Sequence, residues 1–477
     1  MSLYEPFGNF IAGIWIGGTG GDTPVISPVT ERPVGAYRSA TVADTEAAIA
    51  AAEGALPKLS SLGGWERANR LHRIADEMTR RENDAATMIS VETGKPIAQA
   101  RREWTLAVEQ FRWYAEEARR LTGRIVPSRV PGGEFHVTHE PVGVVAAFTA
   151  WNFPAALVAR KVAPALAAGC PVICRPSSQT PGVAMVLVDC VRAGELPEGA
   201  VALVVGPISS TYGPLMASKA VRKVSLTGST HVGQQMIRDA AATVKKVSME
   251  LGGNAPLIAF EDCDLEATLD VAVATKFANA GQVCVTPDRF YVHASLHDAF
   301  VDGFAKRAAA LQLGDGLEES TGMGPLINKK RRDEIAFAVA DALAGGAEVV
   351  TGGTVVGEQG FFFAPTVLTN VRDEMAVMDE ENFGPIAAIT SFDDEDEALT
   401  RANACDMGLS AYAFTKDAAR ARRVSAALKA GMVGINSFAL AAAEAPFGGT
   451  KFSGLGREGG SEGIAEYLDT KLIQSVF

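Results

Sequence analysis

Cys284 closes the run Phe277-Ala-Asn-Ala-Gly-Gln-Val-Cys284. Its polar and glycine neighbours predict a tight turn with exposed backbone N–H groups, which suits a reactive thiol; the other reading of a lone cysteine is an inert core residue. At a reference pKa of about 8.5, only a few per cent of a thiol is thiolate near neutrality. A reactive site is therefore expected to depress that pKa. Glu250, in Ser248-Met-Glu-Leu-Gly-Gly-Asn254, is predicted to lie between an amphipathic helix and a strand. The glycines that follow imply close backbone packing or approach of a ligand; without them the carboxylate reads as a solvated end-of-element residue. Asn152, in Trp151-Asn-Phe-Pro154, follows an apolar strand and precedes a helix. It is either a helix cap or an amide donor to an oxygen that turns negative during reaction. Leu226-Thr-Gly-Ser-Thr-His-Val-Gly233 reads as strand, glycine turn and helix start. Free N–H groups and the positive helix end there suit a pyrophosphate. The run is not Gly-x-Gly-x-x-Gly, and an ordinary turn fits it equally well.

These groups need rigid elements to hold them. From Pro141 onward, strands at 142–148, 172–174, 200–205, 221–226 and 255–260 alternate with helices at 155–168, 182–193 and 231–242. That alternation predicts right-handed βαβ units and a parallel sheet, which binds ligands at the carboxyl ends of its strands. A second α/β run follows, with helices at 265–279, 297–312, 329–344, 397–404 and 418–427 and strands at 290–292, 386–389 and 409–414. Residues 44–122 read as helical, with Leu71, Ile74 and Met78 at helical spacing and Gly63 and Gly94 as punctuation. The tail 471–477 alternates like a strand with little core of its own, a candidate to pair with a neighbour's edge. With no linker or repeat, domain boundaries are expected near 120–141 and 252.

The chain has 477 residues, too many for one hydrophobic core. With 47% hydrophobic and 21% charged residues it reads as an ordinary globular protein rather than a disordered one. A formal charge of −12 without a Lys/Arg cluster argues against nucleic acid. Cysteines at 170, 174, 190, 263, 284 and 405 form neither a disulfide framework nor a metal pattern, and Cys170 and Cys174 are expected to be buried strand residues. The N-terminus shows no secretion signal. The apolar stretch 142–174 is broken by Asn152, Pro154, Arg160, Lys161 and Pro164, so it does not read as a membrane span. A cytoplasmic enzyme is expected.

Taken together, the motifs resemble the aldehyde dehydrogenase superfamily along essentially the whole chain. The matching runs are Trp151-Asn-Phe-Pro154, Pro164-Ala-Leu-Ala-Ala-Gly169, Thr227-Gly-Ser-Thr230, Glu250-Leu-Gly-Gly253, Gly281-Gln-Val-Cys284, Glu381-Asn-Phe-Gly-Pro385 and Pro446-Phe-Gly-Gly449. The resemblance implies roles. Cys284 would be the nucleophile, Glu250 the general base, Asn152 the oxyanion donor and Lys161 the lysine near the active site. Gly228, Ser229 and Gly233 would form the pyrophosphate turn, with Trp151 and Leu251 also on the cofactor. Glu381 would hold the nicotinamide ribose beside Phe383. It also implies an α/β fold: a Rossmann-like parallel-sheet cofactor domain (1–120 and 142–251), a second α/β catalytic domain (252–460) and a small β oligomerisation arm (121–141 and 461–477). Homodimers or homotetramers follow from such an arm. A small-molecule aldehyde is the expected partner, with no nucleic acid, membrane or metal.

The implied chemistry is addition of the Cys284 thiolate to an aldehyde, hydride loss to a nicotinamide and hydrolysis of the thioester by water activated at Glu250. Competing readings are a coenzyme A-acylating dehydrogenase, which a base at 250 disfavours, a cysteine hydrolase, for which no histidine pairs persuasively with Cys284, and a non-catalytic scaffold. Within the superfamily the chain most resembles the succinate-semialdehyde dehydrogenase group, through Ala159-Arg-Lys161 and the run Ala445–Gly460 with Tyr467. Arg160 stands where that group binds a distal carboxylate; a structural ion pair is the alternative. Phe153, Ala278 and Ala442 fall at substrate-binding positions. Two departures are Ala278, where the group has a second arginine, and Ala441, Ala442 and Ala443, where it uses hydroxyls. Losing one charge-assisted hydrogen bond costs about 1.5–3 kcal/mol. Succinate semialdehyde, another semialdehyde, or an apolar or aromatic aldehyde are thus all compatible. At the adenosine ribose, Arg175-Pro-Ser-Ser178 replaces the frequent Lys-Pro-x-Glu. Ser178 removes a charge that repels a 2′-phosphate, Arg175 can pair with one, and Ser177 lies between them. NADP is expected to be accepted alongside NAD.

Overall fold

The computed structural model describes Tyr4 and residues 8–477. Each half of the chain builds a mostly parallel sheet. In the first, five parallel strands run in the order Val201–Leu203, Val172–Arg175, Val144–Phe148, Val221–Thr227, Lys246–Glu250. Asn9–Ile11 and Ile14–Ile16 extend one edge and Gly454–Leu455 the other, all antiparallel. The chain winds outward from Val144–Phe148 to Val201–Leu203, then returns to the opposite side at Val221–Thr227. Strand order therefore reverses between Val144–Phe148 and Val221–Thr227, the place where parallel sheets open a ligand crevice. Val144–Phe148 is buried along its whole length, which is why its sequence is an unbroken apolar run.

The second sheet runs Glu348–Thr351, Thr366–Thr369, Ile386–Phe392, Pro287–His293, Ala255–Ala259, Ser410–Phe414, Met432–Ile435. Only the pairing of its first two strands is antiparallel. A third sheet joins Leu468–Val476, Gly133–Pro141 and Arg124–Pro127.

Helix Pro154–Ala168 connects strand Val144–Phe148 to strand Val172–Arg175. Pro154 starts it with a ring that needs no N–H partner, and Gly169 stops it at φ 90°. All fifteen of its residues are buried, including Arg160 and Lys161. Small alanines let helix Ile97–Ala118 and its neighbours pack closely around it.

Several expectations change. The residues before Glu250 form a strand, Lys246–Glu250, not the end of a helix. Pairing with Val221–Thr227 buries Ser248, Met249 and Glu250 and overrides local pattern. The C-terminal strand pairs on one side with Gly133–Pro141 of its own chain. Gly454–Leu455, expected in the second domain, hydrogen-bonds to the first sheet. The N-terminal strands were not legible, being short and mostly mixed in polarity. Cys174 sits on a strand as expected, but Cys170 lies in the turn before it, its thiol donating to Tyr467 O at 3.3 Å. All six thiols are free. Among the described residues no helix is long and apolar enough to cross a membrane.

Candidate active site

A cavity of about 570 Å³ opens where the two large sheets face each other. Trp151, Asn152 and Phe153 follow strand Val144–Phe148, and Gly228 and Ser229 follow strand Val221–Thr227, so both arms of the reversal point reach it. The second sheet contributes differently. Cys284 precedes strand Pro287–His293 and Glu381 and Phe383 precede strand Ile386–Phe392. The cavity thus lies between the carboxyl ends of one sheet and the amino ends of the other.

Cys284 stands after a strained turn. Asn279, Ala280 and Gly281 take φ of 48°, 53° and 73° in succession. Such a conformation persists only where surroundings over-determine it. Asn279 N donates to Gln99 Oε1 at 2.9 Å, Gln282 Nε2 to Asn279 O at 2.9 Å, and Ile327 N to Gln282 Oε1 at 2.9 Å. A Cβ at Gly281 would meet Gly384 O at 2.1 Å, so glycine lets the 381–385 loop lie against the cysteine turn.

The Cys284 thiol is pushed up to about 12, not depressed as expected. Burial dominates, the Glu381 and Glu250 carboxylates raise it further, and Arg160 opposes them. Two acids and one guanidinium leave the protein alone unable to favour a thiolate.

Asn152 Nδ2 donates to Gln282 O at 3.2 Å, two residues before the thiol, while its Oδ1 has no partner. It caps no helix: the first N–H groups of Pro154–Ala168, at Ala155 and Ala156, are taken by Glu103 Oε1. The side-chain amide of Asn152 instead faces the cysteine turn.

Glu250 ends its strand behind the wall, 3% exposed and not among the lining residues. Its Oε1 packs on Gly448 and its Oε2 has no partner. Burial, then the nearby Glu458, raise its pKa well above the carboxylate range; Lys161, Arg160 and Arg457 oppose. Lys161 is fully buried beside it, its Nζ bonded to Glu458 Oε1 and, at 2.8 Å, to Thr227 Oγ1. It too is off the wall. Glu458, missed in the sequence, lies within the Gly454–Gly460 run that carried the resemblance.

At the cofactor positions, Ser229 Oγ accepts from Val232 N at 3.5 Å and caps helix Thr230–Ala241 beside Gly228. Gly233 is not on the wall; a Cβ there would strike Leu251, which is. Glu381 Oε1 accepts from Gly253 N at 2.9 Å, and burial pushes its carboxyl up to about 7. A Cβ at Gly252 would meet Glu381 Oε2 at 2.7 Å, so the cradle needs glycine. The Trp151 and Phe383 rings meet edge-to-face at 5.6 Å. This slot, an anion-binding helix start at one end and a carboxylate with two aromatic rings at the other, fits a dinucleotide. Arg175, Ser177 and Ser178 lie outside the cavity. Arg175 is partly committed, donating to Gly206 O at 3.0 Å and Thr211 Oγ1 at 3.4 Å. Ser177 Oγ accepts from Gln179 N at 3.2 Å, and Ser178 is exposed.

On the opposite side the wall is Leu106, Phe153, Leu157, Val285, Ala441 and Phe447, with Arg160 among them. Ala278 and Ala442 are half-buried but off it. Arg160 is 7% exposed, its guanidinium 4.1 Å from the Phe447 ring centroid, and among the described residues no carboxylate lies within ion-pair distance.

The aldehyde dehydrogenase family model matches residues 15–473. The chain belongs to the aldehyde dehydrogenase family. This aldehyde dehydrogenase is 42% identical over 465 residues to the glutarate-semialdehyde dehydrogenase of Pseudomonas putida, covering 97% of this chain and 96% of the relative. It is 41% identical, with the same coverage, to an NADP⁺-linked succinate-semialdehyde dehydrogenase of Escherichia coli. The crystal structure of succinate-semialdehyde dehydrogenase from Burkholderia pseudomallei superposes with a TM-score of 0.97 at 40% identity, covering 100% of this chain and 99% of that one. The aldehyde dehydrogenase is an NAD(P)⁺-dependent oxidoreductase acting on aldehydes.

Proposed function

We propose that this aldehyde dehydrogenase oxidises a semialdehyde, an aldehyde with a distal carboxylate, to the corresponding dicarboxylic acid. The observation that carries the reading is Arg160: a buried guanidinium on the cavity wall with an aromatic face beside it and, among the described residues, no carboxylate within ion-pair distance. A buried charge is costly unless paired, and a substrate carboxylate supplies the pair. With Leu106, Leu157, Val285 and Phe447 around it, the chain between aldehyde and acid meets apolar surface. Relatives named for glutarate and succinate semialdehydes support the same class.

In this reading Cys284 gives its proton to solvent and adds to the aldehyde carbon as a thiolate. The Asn152 amide exchanges the Gln282 carbonyl for the new oxyanion. NAD(P)⁺, when bound, would supply the hydride acceptor. Trp151, Glu381 and Phe383 hold the nicotinamide half, and Gly228 and Ser229 the pyrophosphate. Glu250 swings from behind the wall to take a proton from the water that hydrolyses the thioester. Its buried, unpartnered Oε2 and its raised pKa suit a base used only at that stage. The first sheet serves as the cofactor domain and the second as the catalytic domain. The third sheet, with Ile125, Leu472, Val476 and Phe477 exposed, forms the arm of a homodimer or homotetramer.

A panel of acidic, aliphatic and aromatic aldehydes, run with NAD⁺ and NADP⁺, tests this. Arg160→Leu is expected to raise KM about ten- to a hundredfold for acidic aldehydes only. An equal effect on neutral aldehydes overturns the carboxylate role.

A further inference from the structure

Lys95 and Glu103 are completely buried side chains outside the cavity, and neither has a role in the chemistry above. Lys95 follows the turn that ends helix Glu82–Thr93 at Gly94, and Glu103 lies in the second turn of helix Ile97–Ala118. They are bonded to each other through Lys95 Nζ and Glu103 Oε2. Among the described residues, every other hydrogen bond of these two side chains goes to the turn that bears Asn152, or to the start of its helix. Lys95 Nζ donates to Asn152 O at 2.7 Å and sits 4.1 Å from the Phe153 ring centroid. Glu103 Oε1 accepts from Ala155 N at 2.8 Å and Ala156 N at 3.4 Å.

A buried ion pair is a poor stabiliser, because desolvation offsets the attraction. This one fixes geometry instead. Three features of one short turn, the Asn152 carbonyl, the Phe153 ring and the first N–H groups of the helix, are pinned by two residues. Asn279 Nδ2 also donates to Asn152 O, at 3.1 Å, and to Gln282 O at 3.2 Å. The same carbonyl thus ties the oxyanion turn to the cysteine turn. Rotation of the Asn152 peptide would swing its amide away from the site beside Cys284.

We propose that Lys95 and Glu103 act as a positioning pair for the oxyanion donor, holding the Asn152 peptide so that its side-chain amide meets the oxygen forming at the Cys284 adduct. The proposal rests on Asn152 being that donor. The pair touches neither substrate nor cofactor, and it acts through the main chain.

The test is a pre-steady-state burst of reduced nicotinamide in the full-length enzyme, with NADP⁺ and one acidic aldehyde. Lys95→Met alone strands a buried carboxylate, so the working variant is Lys95→Met with Glu103→Gln, a neutral pair. Its burst is expected to slow about ten- to a hundredfold, since a displacement near 1 Å costs up to about 10² in rate. NADP⁺ Kd and aldehyde KM should stay within about twofold. Added to Asn152→Ala, the pair replacement should slow the burst no further, a non-additivity that general loosening of the fold would not produce. A wild-type burst, or an equal slowing in the Asn152→Ala background, overturns the pairing role. If Asn152→Ala itself bursts at the wild-type rate, the oxyanion reading falls and the proposal falls with it. A slow Asn152→Ala beside a wild-type Lys95→Met/Glu103→Gln sinks the proposal alone.

Discussion

The side-chain amide of Asn152 donates to the main-chain oxygen of Gln282, at 3.2 Å, across the junction of the two large sheets. One residue comes from the carboxyl end of a strand in the first sheet, and the other lies just before a strand in the second. The bond marks how closely the oxyanion donor and the nucleophile turn are held. Asn152→Ala should lower kcat about 10²–10³-fold while leaving NADP⁺ binding intact. Cys284→Ser should abolish turnover yet still bind cofactor. Steady-state rates with a fluorescence titration of cofactor decide both, and an unimpaired Cys284→Ser would refute the chemistry as a whole.

The pH profile should follow from burial. Glu250 acts as carboxylate, and desolvation with the nearby Glu458 raises its pKa well above the ordinary range. A raised pKa leaves the base protonated to higher pH, so thioester hydrolysis should climb with pH where an ordinary carboxylate would already be level. Glu458→Gln removes a like charge and lowers the Glu250 pKa. The acid limb of the deacylation profile should move to lower pH. A limb that stays put, or moves upward, contradicts the coupling.

Glu250→Gln should separate the two halves of the reaction. The burst of reduced nicotinamide should remain near one per site, and steady turnover should fall about 10²–10⁴-fold, the usual contribution of a general base. Loss of the burst together with turnover would place Glu250 in the first half-reaction instead.

Gly281 has φ of 73°, and a Cβ on it would lie 2.1 Å from Gly384 O. Gly281→Ala should therefore push the 381–385 loop off the cysteine turn. A left-handed alanine alone costs on the order of 1–3 kcal/mol, before the clash is counted. The expected result is a lower thermal midpoint and weaker cofactor binding, because Glu381 moves with the loop. Unchanged melting and Kd would mean the backbone relaxes freely there.

The strand Leu468–Val476 places Leu472, Ile473 and Val476 in solvent on a sheet with a free edge at Arg124–Pro127. If this sheet is the proposed oligomerisation arm, removing residues 468–477 should leave monomers in sedimentation analysis where the full chain gives dimers or tetramers. Retention of the parent assembly would move the interface elsewhere.

Much of this was legible because it is local. The alternation after Pro141 announced the parallel sheet, and helix Lys329–Ala344 and helix Ala418–Ala427 begin and end where their periodicity says. Cys284, Glu250 and Asn152 were recognisable from neighbours adjacent in the chain. The strand ending at Glu250 was not, since only its partner strand makes Lys246–Glu250 extended.

The sequence by itself determined the family and the two sheet-forming halves, because periodicity and short motifs are properties of residues a few positions apart. Only the tertiary structure decided that Arg160 has no carboxylate within ion-pair distance among the described residues, that Glu250 is buried behind the wall near Lys161 and Glu458, and that Lys95 and Glu103 grip the Asn152 turn. Those facts depend on burial and on contacts between residues up to 297 positions apart. Desolvation and pairing, which set the charge of each group, arise only when distant segments exclude water together.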